Sequence, residues 1–266
     1  RRHGLRRQEA DTAATLGVLC GLQGNFESAE AACRTAVNAA EAVADERRVA
    51  ACLQAWAAVQ AWQGRYEDAL ETLERAELLA ESRGDLLRLY ALGGVRAFAQ
   101  AGAKHFAEAQ SSFDAALVLG RELGAESYRP LFMAWLAEAC FEAGQGETAL
   151  LSAREAFRLA AEANRPWPRS IALRTLARVL AHPEVGDLPG ALKAARSALA
   201  EPDGLGLSFE IARTQIAYAK ILRASGELER SSRAYAQASV LFQKMRMTGE
   251  YDSAKTLAEA LRPTGG

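Results

Sequence analysis

The sequence is poor in residues that interrupt, cross-link or anchor a chain. Of 266 residues only 7 are proline and 4 are cysteine. No apolar run approaches the roughly 18 residues typical of a membrane-spanning helix. The net charge is −1, which leaves no overall field to attract nucleic acid or an anionic membrane. We therefore predict a cytoplasmic chain with no nucleic acid and no membrane as a direct partner.

The cysteines and histidines lack the spacing of metal sites. They are Cys20, Cys33, Cys52 and Cys140, and His3, His105 and His182. The cysteines form no CxxC pair, and no histidine has a cysteine or carboxylate at ligand spacing. We interpret the cysteines as small buried thiols of a reducing compartment.

Motifs of catalysis and phosphate binding are missing as well. The sequence has no GxxxxGK[ST], GxGxxG, HExxH or GxSxG segment. We therefore predict no enzyme, no catalytic residue, no metal and no cofactor. An enzymatic role stays open only if another domain of a longer protein supplies the active site.

A six-residue signature is present six times. Its copies begin 40, 40, 40, 42 and 40 positions apart, at Gly24, Gly64, Lys104, Gly144, Gly186 and Gly226. In most copies an aromatic residue or Leu follows two positions later, but the fourth copy has Gly146 there. Two extra residues lie near Pro183 in the fifth unit. Self-similarity at such a period is typical of helical-repeat arrays.

Small residues at fixed distances from the signature predict two closely packed helices in each unit. Alanine dominates the positions seven before, five after and twelve after the first signature residue. The signature glycine suits the left-handed residue that ends the first helix, helix A, and the aromatic residue covers the end of the hairpin with helix B. With Gly146 in that place, we expect the fourth hairpin to be looser.

The Gly-x-aromatic-x-x-Ala pattern, with a second Ala on helix B, resembles tetratricopeptide repeats (TPRs), whose usual unit is 34 residues. The 40-residue units resemble those of bacterial multidomain signalling NTPases, LuxR-type regulators and class III cyclases. The resemblance implies an all-α fold, a right-handed α-solenoid of about six helix-turn-helix repeats plus a C-terminal capping helix. We expect six repeats in residues 1–249, at about 6–45, 46–85, 86–126, 127–166, 167–206 and 207–246, and the capping helix at 250–262. Because the chain opens with Arg1 rather than Met, we expect a fragment of a longer protein.

In such arrays helix A lines the concave side, so the residues of helix A that face this side predict a binding groove. The apolar members are Trp62, Phe98, Leu131 and Phe141, and the charged members are Glu138, Arg174, Arg178, Arg213, Lys220 and Arg223. Arginine forks bind carboxylates, and aromatic residues supply apolar anchors. We predict a non-catalytic module that binds a protein or peptide with an acidic segment. Such a module would be the C-terminal sensor or interaction arm of a bacterial signalling or transcriptional regulator.

Two alternatives to groove binding stay open. Arginines on helices often pair with nearby acids, and Glu210 lies three residues before Arg213 on the same helix face. The array would then be a structural or oligomerisation scaffold without a small ligand, and a homodimer would follow. RNA binding is disfavoured by the near-neutral charge.

Overall fold

The computed structural model describes residues 2–202 and 204–261, with side chains from residue 4 onward. Within these residues the secondary structure consists of thirteen α-helices and no strand, so the all-α expectation is confirmed. The helices are α1 (Arg2–Leu22), α2 (Phe26–Glu41), α3 (Glu46–Trp62), α4 (Tyr66–Ser82), α5 (Leu86–Gly102), α6 (Phe106–Glu122), α7 (Arg129–Glu142), α8 (Gly146–Glu162), α9 (Pro166–Leu180), α10 (Leu188–Ala200), α11 (Ser208–Ala224), α12 (Leu228–Lys244) and α13 (Thr248–Ala260). Arg1, the His3 side chain and residue 262 of the expected capping helix lie outside the described part.

Odd-numbered helices from α1 to α11 are the A helices, and each is followed by an even-numbered B helix. Every signature begins with a residue of positive φ, from +67° at Lys104 and Gly186 to +80° at Gly24 and Gly64. This left-handed residue turns the chain, and the B helix begins two positions later. The left-handed turns expected at the signature glycines are therefore confirmed, and Lys104 adopts the same backbone conformation without a glycine.

The expected close approach of the paired helices is confirmed by their small residues. Ala29, Ala57, Ala97, Ala137 and Ala177 have no exposed surface. A Cβ added to Gly17 on α1 would lie 2.4 Å from Cys33 Sγ on α2. Side chains of this size let two backbones pack closely without leaving a void.

All four cysteines are free thiols. Cys33, Cys52 and Cys140 are buried, as the sequence predicts, whereas Cys20 is only partly buried. Burial, together with the smaller effects of Cys52, Glu30 and Cys20, raises the pKa of the Cys33 thiol to about 12. Cys33 therefore behaves as a small apolar side chain of the interior rather than as a reactive group.

The first residue of a B helix packs against the next repeat and does not merely cover its own hairpin. On the A helix of the third repeat, a Cβ added to Gly102 would lie 2.1 Å from Cε1 of Tyr66, which begins α4 of the second. Leu188, which begins α10, packs against a buried cluster that includes Ile221 near the end of α11. These side chains therefore seal the contact between consecutive repeats.

The chain divides into two compact units, Arg1–Phe132 and Met133–Gly266. The helices α1 to α6 lie in the first unit and α8 to α13 in the second, while α7 spans the boundary. No helix in the described ranges combines the length and the apolar character needed to cross a membrane.

Candidate functional site

Half of the predicted groove residues meet in one cavity of the second unit. Glu138 on α7, Arg174 and Arg178 on α9, and Arg213 and Lys220 on α11 line a cavity of about 590 Å³. We call it the charged pocket. Its other lining residues are Glu142, Ile216, Ala217, Phe242, Gly249, Glu250, Ser253, Ala254 and Leu257.

The pocket combines an apolar floor with a charged wall. Ala217, Phe242 and Ala254 are buried, and Ile216 and Leu257 are partly buried. Phe242 comes from α12 and Leu257 from α13, so the final helix closes one side of the pocket. An apolar floor with a few polar groups around it is the usual composition of a ligand site.

Arg174 lies between two carboxylates and has almost no exposed surface. Its Nε donates to Glu138 Oε1 at 3.0 Å, and its Nη1 donates to Glu210 Oε2 at 2.5 Å and to Thr214 Oγ1 at 3.2 Å. Its Nη2 lies 2.9 Å from Glu138 Oε1 but does not direct a hydrogen bond at it. The side chain is 2% exposed. Arg174 thus holds α7 and α11 to α9.

Two more arginines complete the set of ion pairs. Arg213 Nη2 donates to Glu138 Oε2 at 3.2 Å, and its Nη1 lies 3.7 Å from Glu210 Oε1. Arg178 Nη2 donates to Glu142 Oε1 at 2.5 Å, and its guanidinium lies 4.2 Å from the centre of the Phe141 ring. The charge network consists of Glu138, Glu142, Arg174, Arg178, Glu210 and Arg213. Three carboxylates balance three guanidinium groups in it.

Sequence reasoning missed the carboxylate partners of Arg174, although a signal for them exists. Glu138, Arg174 and Glu210 are 36 residues apart, which is one 40-residue period less about one helical turn. A similar separation occurs in the first unit, where Arg48 on α3 pairs with Asp11 on α1, 37 residues apart. Opposite charges at this separation therefore indicate a bridge between neighbouring repeats.

The arginines keep the Glu138 carboxyl ionised despite its burial. Burial alone would raise the pKa of Glu138, but the charges of Arg174, Arg213 and Arg178 outweigh it and lower this pKa to about 2. The ordinary value for a glutamate is 4.5. The free energy of unfolding therefore depends on pH through the charge network.

We expect Glu138 to make the protein less stable in acid. A folded-state pKa below the unfolded-state value stabilises the fold fully above about pH 4.5, and this contribution is lost as the pH falls from there toward 2. The shift corresponds to about 3 kcal/mol of unfolding free energy. Urea unfolding from pH 7 to 2.5 measures it, with Glu138→Gln as the comparison. The variant should be less stable at neutral pH, and the gap should narrow in acid. Parallel profiles for the two proteins would contradict this origin.

The remaining predicted apolar contacts lie elsewhere. Trp62 is 4% exposed and packs near Gly21, whose added Cβ would lie 3.0 Å from the indole ring. Leu131 is also buried, and Phe98 is partly buried. The expectation that Trp62 and Leu131 are accessible groove contacts is corrected, because packing between helices covers both. Phe141 is partly buried under Arg178.

The basic positions also differ from the expected open row of arginines. Arg174 is buried between Glu138 and Glu210, so it is corrected from a ligand contact to an interior ion-pair residue. Glu138 is buried with it. Arg223 is exposed on α11 and does not line the charged pocket. Lys220 is exposed and does line it.

Neither a protein-family model nor the sequence of a curated protein matches this chain. Solved structures do resemble it. One is NprR in complex with its cognate peptide NprX, with 16% identity, a TM-score of 0.72 and coverage of 96% of this chain and 73% of that chain. Another is a Rap protein complexed with Competence and Sporulation Factor, with 15% identity, a TM-score of 0.69 and coverage of 96% and 77%.

A third similar structure belongs to a multidomain protein. It is a Signal Transduction ATPase with Numerous Domains (STAND) that has a tetratricopeptide repeat sensor, from Pyrococcus horikoshii. The identity is 14%, the TM-score is 0.57, and the alignment covers 88% of this chain and 39% of that chain. Identities this low establish likeness of fold and not of ligand. On its helices, its turns and these likenesses, the chain has the fold of a tetratricopeptide-repeat array.

Proposed function

We propose that this chain is a non-catalytic peptide-binding module and that the charged pocket is its binding site. The main support is the convergence of Glu138, Arg174, Arg178, Arg213 and Lys220 on one cavity of about 590 Å³ with an apolar floor. NprR and the Rap protein, which are similar in fold, are described with a cognate peptide and with Competence and Sporulation Factor. These likenesses favour a peptide over other ligands.

The ion pairs narrow the charge that such a peptide must carry. Arg174 and Arg178 already donate to carboxylates of this chain, so neither offers a free guanidinium. Among the described residues Lys220 has no ion-pair partner, and the Arg213 side chain is 31% exposed. A single acidic group beside Lys220, with an apolar side chain against Ile216 and Leu257, fits this arrangement. We therefore propose one acidic residue, rather than an acidic stretch, in the bound peptide.

Lys220→Glu should discriminate between peptides that differ only in charge. We expect short fluorescein-labelled peptides with an apolar residue and an acidic end to bind, and the substitution to weaken them about tenfold, since it replaces attraction by repulsion. Peptides with a lysine in place of the acid should not weaken. Fluorescence anisotropy measures both series. Lys193→Glu makes the same charge change on an exposed position of α10 outside the pocket, and it should alter neither.

The alternative, that the chain is an oligomerisation scaffold, predicts no peptide binding and a stable dimer. If no peptide binds and light scattering finds a stable dimer, the chain is an oligomerisation element and the pocket is not a site. If peptides bind but Lys220→Glu changes nothing, binding lies elsewhere. The STAND protein with its repeat sensor supports a further part of the proposal, that this chain is the sensor arm of a signalling or transcriptional regulator.

A further inference from the structure

A second cavity of the second unit lies at the turns of the fourth and fifth repeats. It has a volume of about 580 Å³ and is lined by apolar side chains that include Phe141, Leu150, Val179 and Val185. We call it the end cleft. The end cleft shares no lining residue with the charged pocket. Phe141, whose ring lies under Arg178, lines the end cleft.

The end cleft lies where the fourth repeat has a glycine in place of the aromatic residue or Leu that begins most of the other B helices. Gly146 begins α8, in the place that Tyr66 has at the start of α4 and Leu188 at the start of α10. Apart from the adjacent residues and the backbone of α8 itself, no described atom lies within 4 Å of a Cβ added to Gly146. The helix itself is regular, since α8 has 17 residues like α4 and α6.

The wall opposite Gly146 includes Val179 of the fifth repeat, whose position corresponds to that of Ile221 in the sixth repeat. Leu188 packs on a cluster that contains Ile221, which lies five residues before Gly226. Val179 occupies the same place on α9 once the two-residue insertion after that helix is discounted, and it lines the end cleft. The B helix of the fifth repeat begins with an apolar side chain, Leu188, whereas that of the fourth repeat begins with Gly146 and has none.

The insertion in the fifth repeat builds the rim. Helix α9 ends at Leu180, six residues before Gly186, whereas the other A helices end two residues before their turn. The extra loop carries His182, Glu184 and Val185 to the cleft. Glu184 and Glu147 are both exposed there, so the rim has two carboxylates around an apolar interior.

From this geometry we infer that the end cleft binds an aromatic side chain of a partner peptide whose neighbouring residues are basic. The ring replaces the side chain absent at Gly146, and it packs between Leu150 and Val179. Lysine or arginine beside the ring meets Glu147 and Glu184 at the rim. This site is separate from the charged pocket, and neither proposal depends on the other.

Filling the cleft from within tests the site. We expect a labelled Arg-Phe-Arg peptide to bind the full chain at least tenfold more tightly than the Arg-Ala-Arg or Glu-Phe-Glu peptide, as measured by anisotropy. In Gly146→Phe the new ring should occupy the cleft, abolish that preference and raise the thermal midpoint by roughly 2 °C. Gly146→Leu, a smaller filling residue, should act in the same direction if the ring proves too large.

Two controls assign the result to this site. Gly4→Phe also adds a ring to a helical glycine with open space around it, and it should leave both binding and midpoint unchanged. Lys220→Glu, in the charged pocket, should not weaken the Arg-Phe-Arg peptide. Equal affinities for the three peptides, or full binding by both Gly146 variants, would overturn the inference.

Discussion

Replacing Arg174 by methionine should destabilise the protein by about 3 kcal/mol or more, one of the largest losses that a single substitution can cause here. Methionine keeps an unbranched apolar chain but removes the guanidinium that binds Glu138 and Glu210. Both carboxylates are buried, and only the weaker contacts remain: Arg213 beside both of them and Arg178 Nη1 at 3.9 Å from Glu138 Oε1. Urea unfolding at neutral pH measures the loss.

Arg158 provides a matched control for this substitution. Like Arg174 it bridges two carboxylates, those of Glu155 and Glu162, at 2.7 Å and 2.6 Å. Its side chain is 52% exposed, whereas that of Arg174 is 2% exposed. Both guanidinium groups have raised pKa values. Because water solvates the partners of Arg158 when it is removed, we expect Arg158→Met to leave the urea midpoint unchanged.

A triple replacement separates the cost of an unpaired charge from the value of the ion pairs. Changing Glu138, Arg174 and Glu210 together to methionine removes the buried charges along with their partners. We expect much of the stability lost in Arg174→Met to return, because apolar side chains of similar size can replace a buried ion pair. Arg213 is partly exposed and can turn toward water. If Arg174→Met costs no more than Arg158→Met, the buried network does not stabilise the fold as proposed.

The local structure of each repeat was predictable because it is set by residues close in sequence. A positive φ at Gly24 or Gly64 requires a residue that tolerates it, and small residues such as Ala57 and Ala97 permit close packing. These requirements recur every 40 residues, so the period itself exposes them. Even Lys104, which breaks the glycine pattern, keeps the turn with a φ of +67°.

The candidate site was predictable only in part, because its side chains are arranged by contacts between repeats. Helix position placed Arg174 and Arg178 on the correct helix, but it did not reveal that carboxylates on α7 and α11 surround Arg174. Trp62 was assigned by its distance from the turn, and the direction in which its ring packs toward Gly21 depends on another repeat. Charge pairs at a separation of one period less one helical turn carry the missing information.

The first unit contains an aromatic cluster that two glycines make possible. The ring of Phe132 stacks on Tyr128 at 5.6 Å between ring centres and meets Tyr90 edge-on at 5.3 Å. A Cβ added to Gly94 would lie 2.0 Å from Phe132 Cζ, and one added to Gly120 would lie 2.6 Å from Tyr90 Cε2. Phe132 and Tyr90 are each 1% exposed, so neither ring has space to move aside.

This fit between Gly94 and Phe132 should appear as strong coupling between the two positions. Phe132→Ala is expected to cost about 3–5 kcal/mol through the lost packing and the cavity left behind. Gly94→Ala is expected to cost about 2 kcal/mol through overpacking, although alanine favours a helix over glycine by about 1 kcal/mol. In the double variant the new methyl group enters the space of the missing ring, so the cost should fall below the sum of the two single costs by about 1–3 kcal/mol. Urea unfolding of the four proteins measures this coupling, and Gly4→Ala, a helical glycine with open space, should cost nothing. Additive costs would mean that Gly94 is required for a reason other than the position of the Phe132 ring.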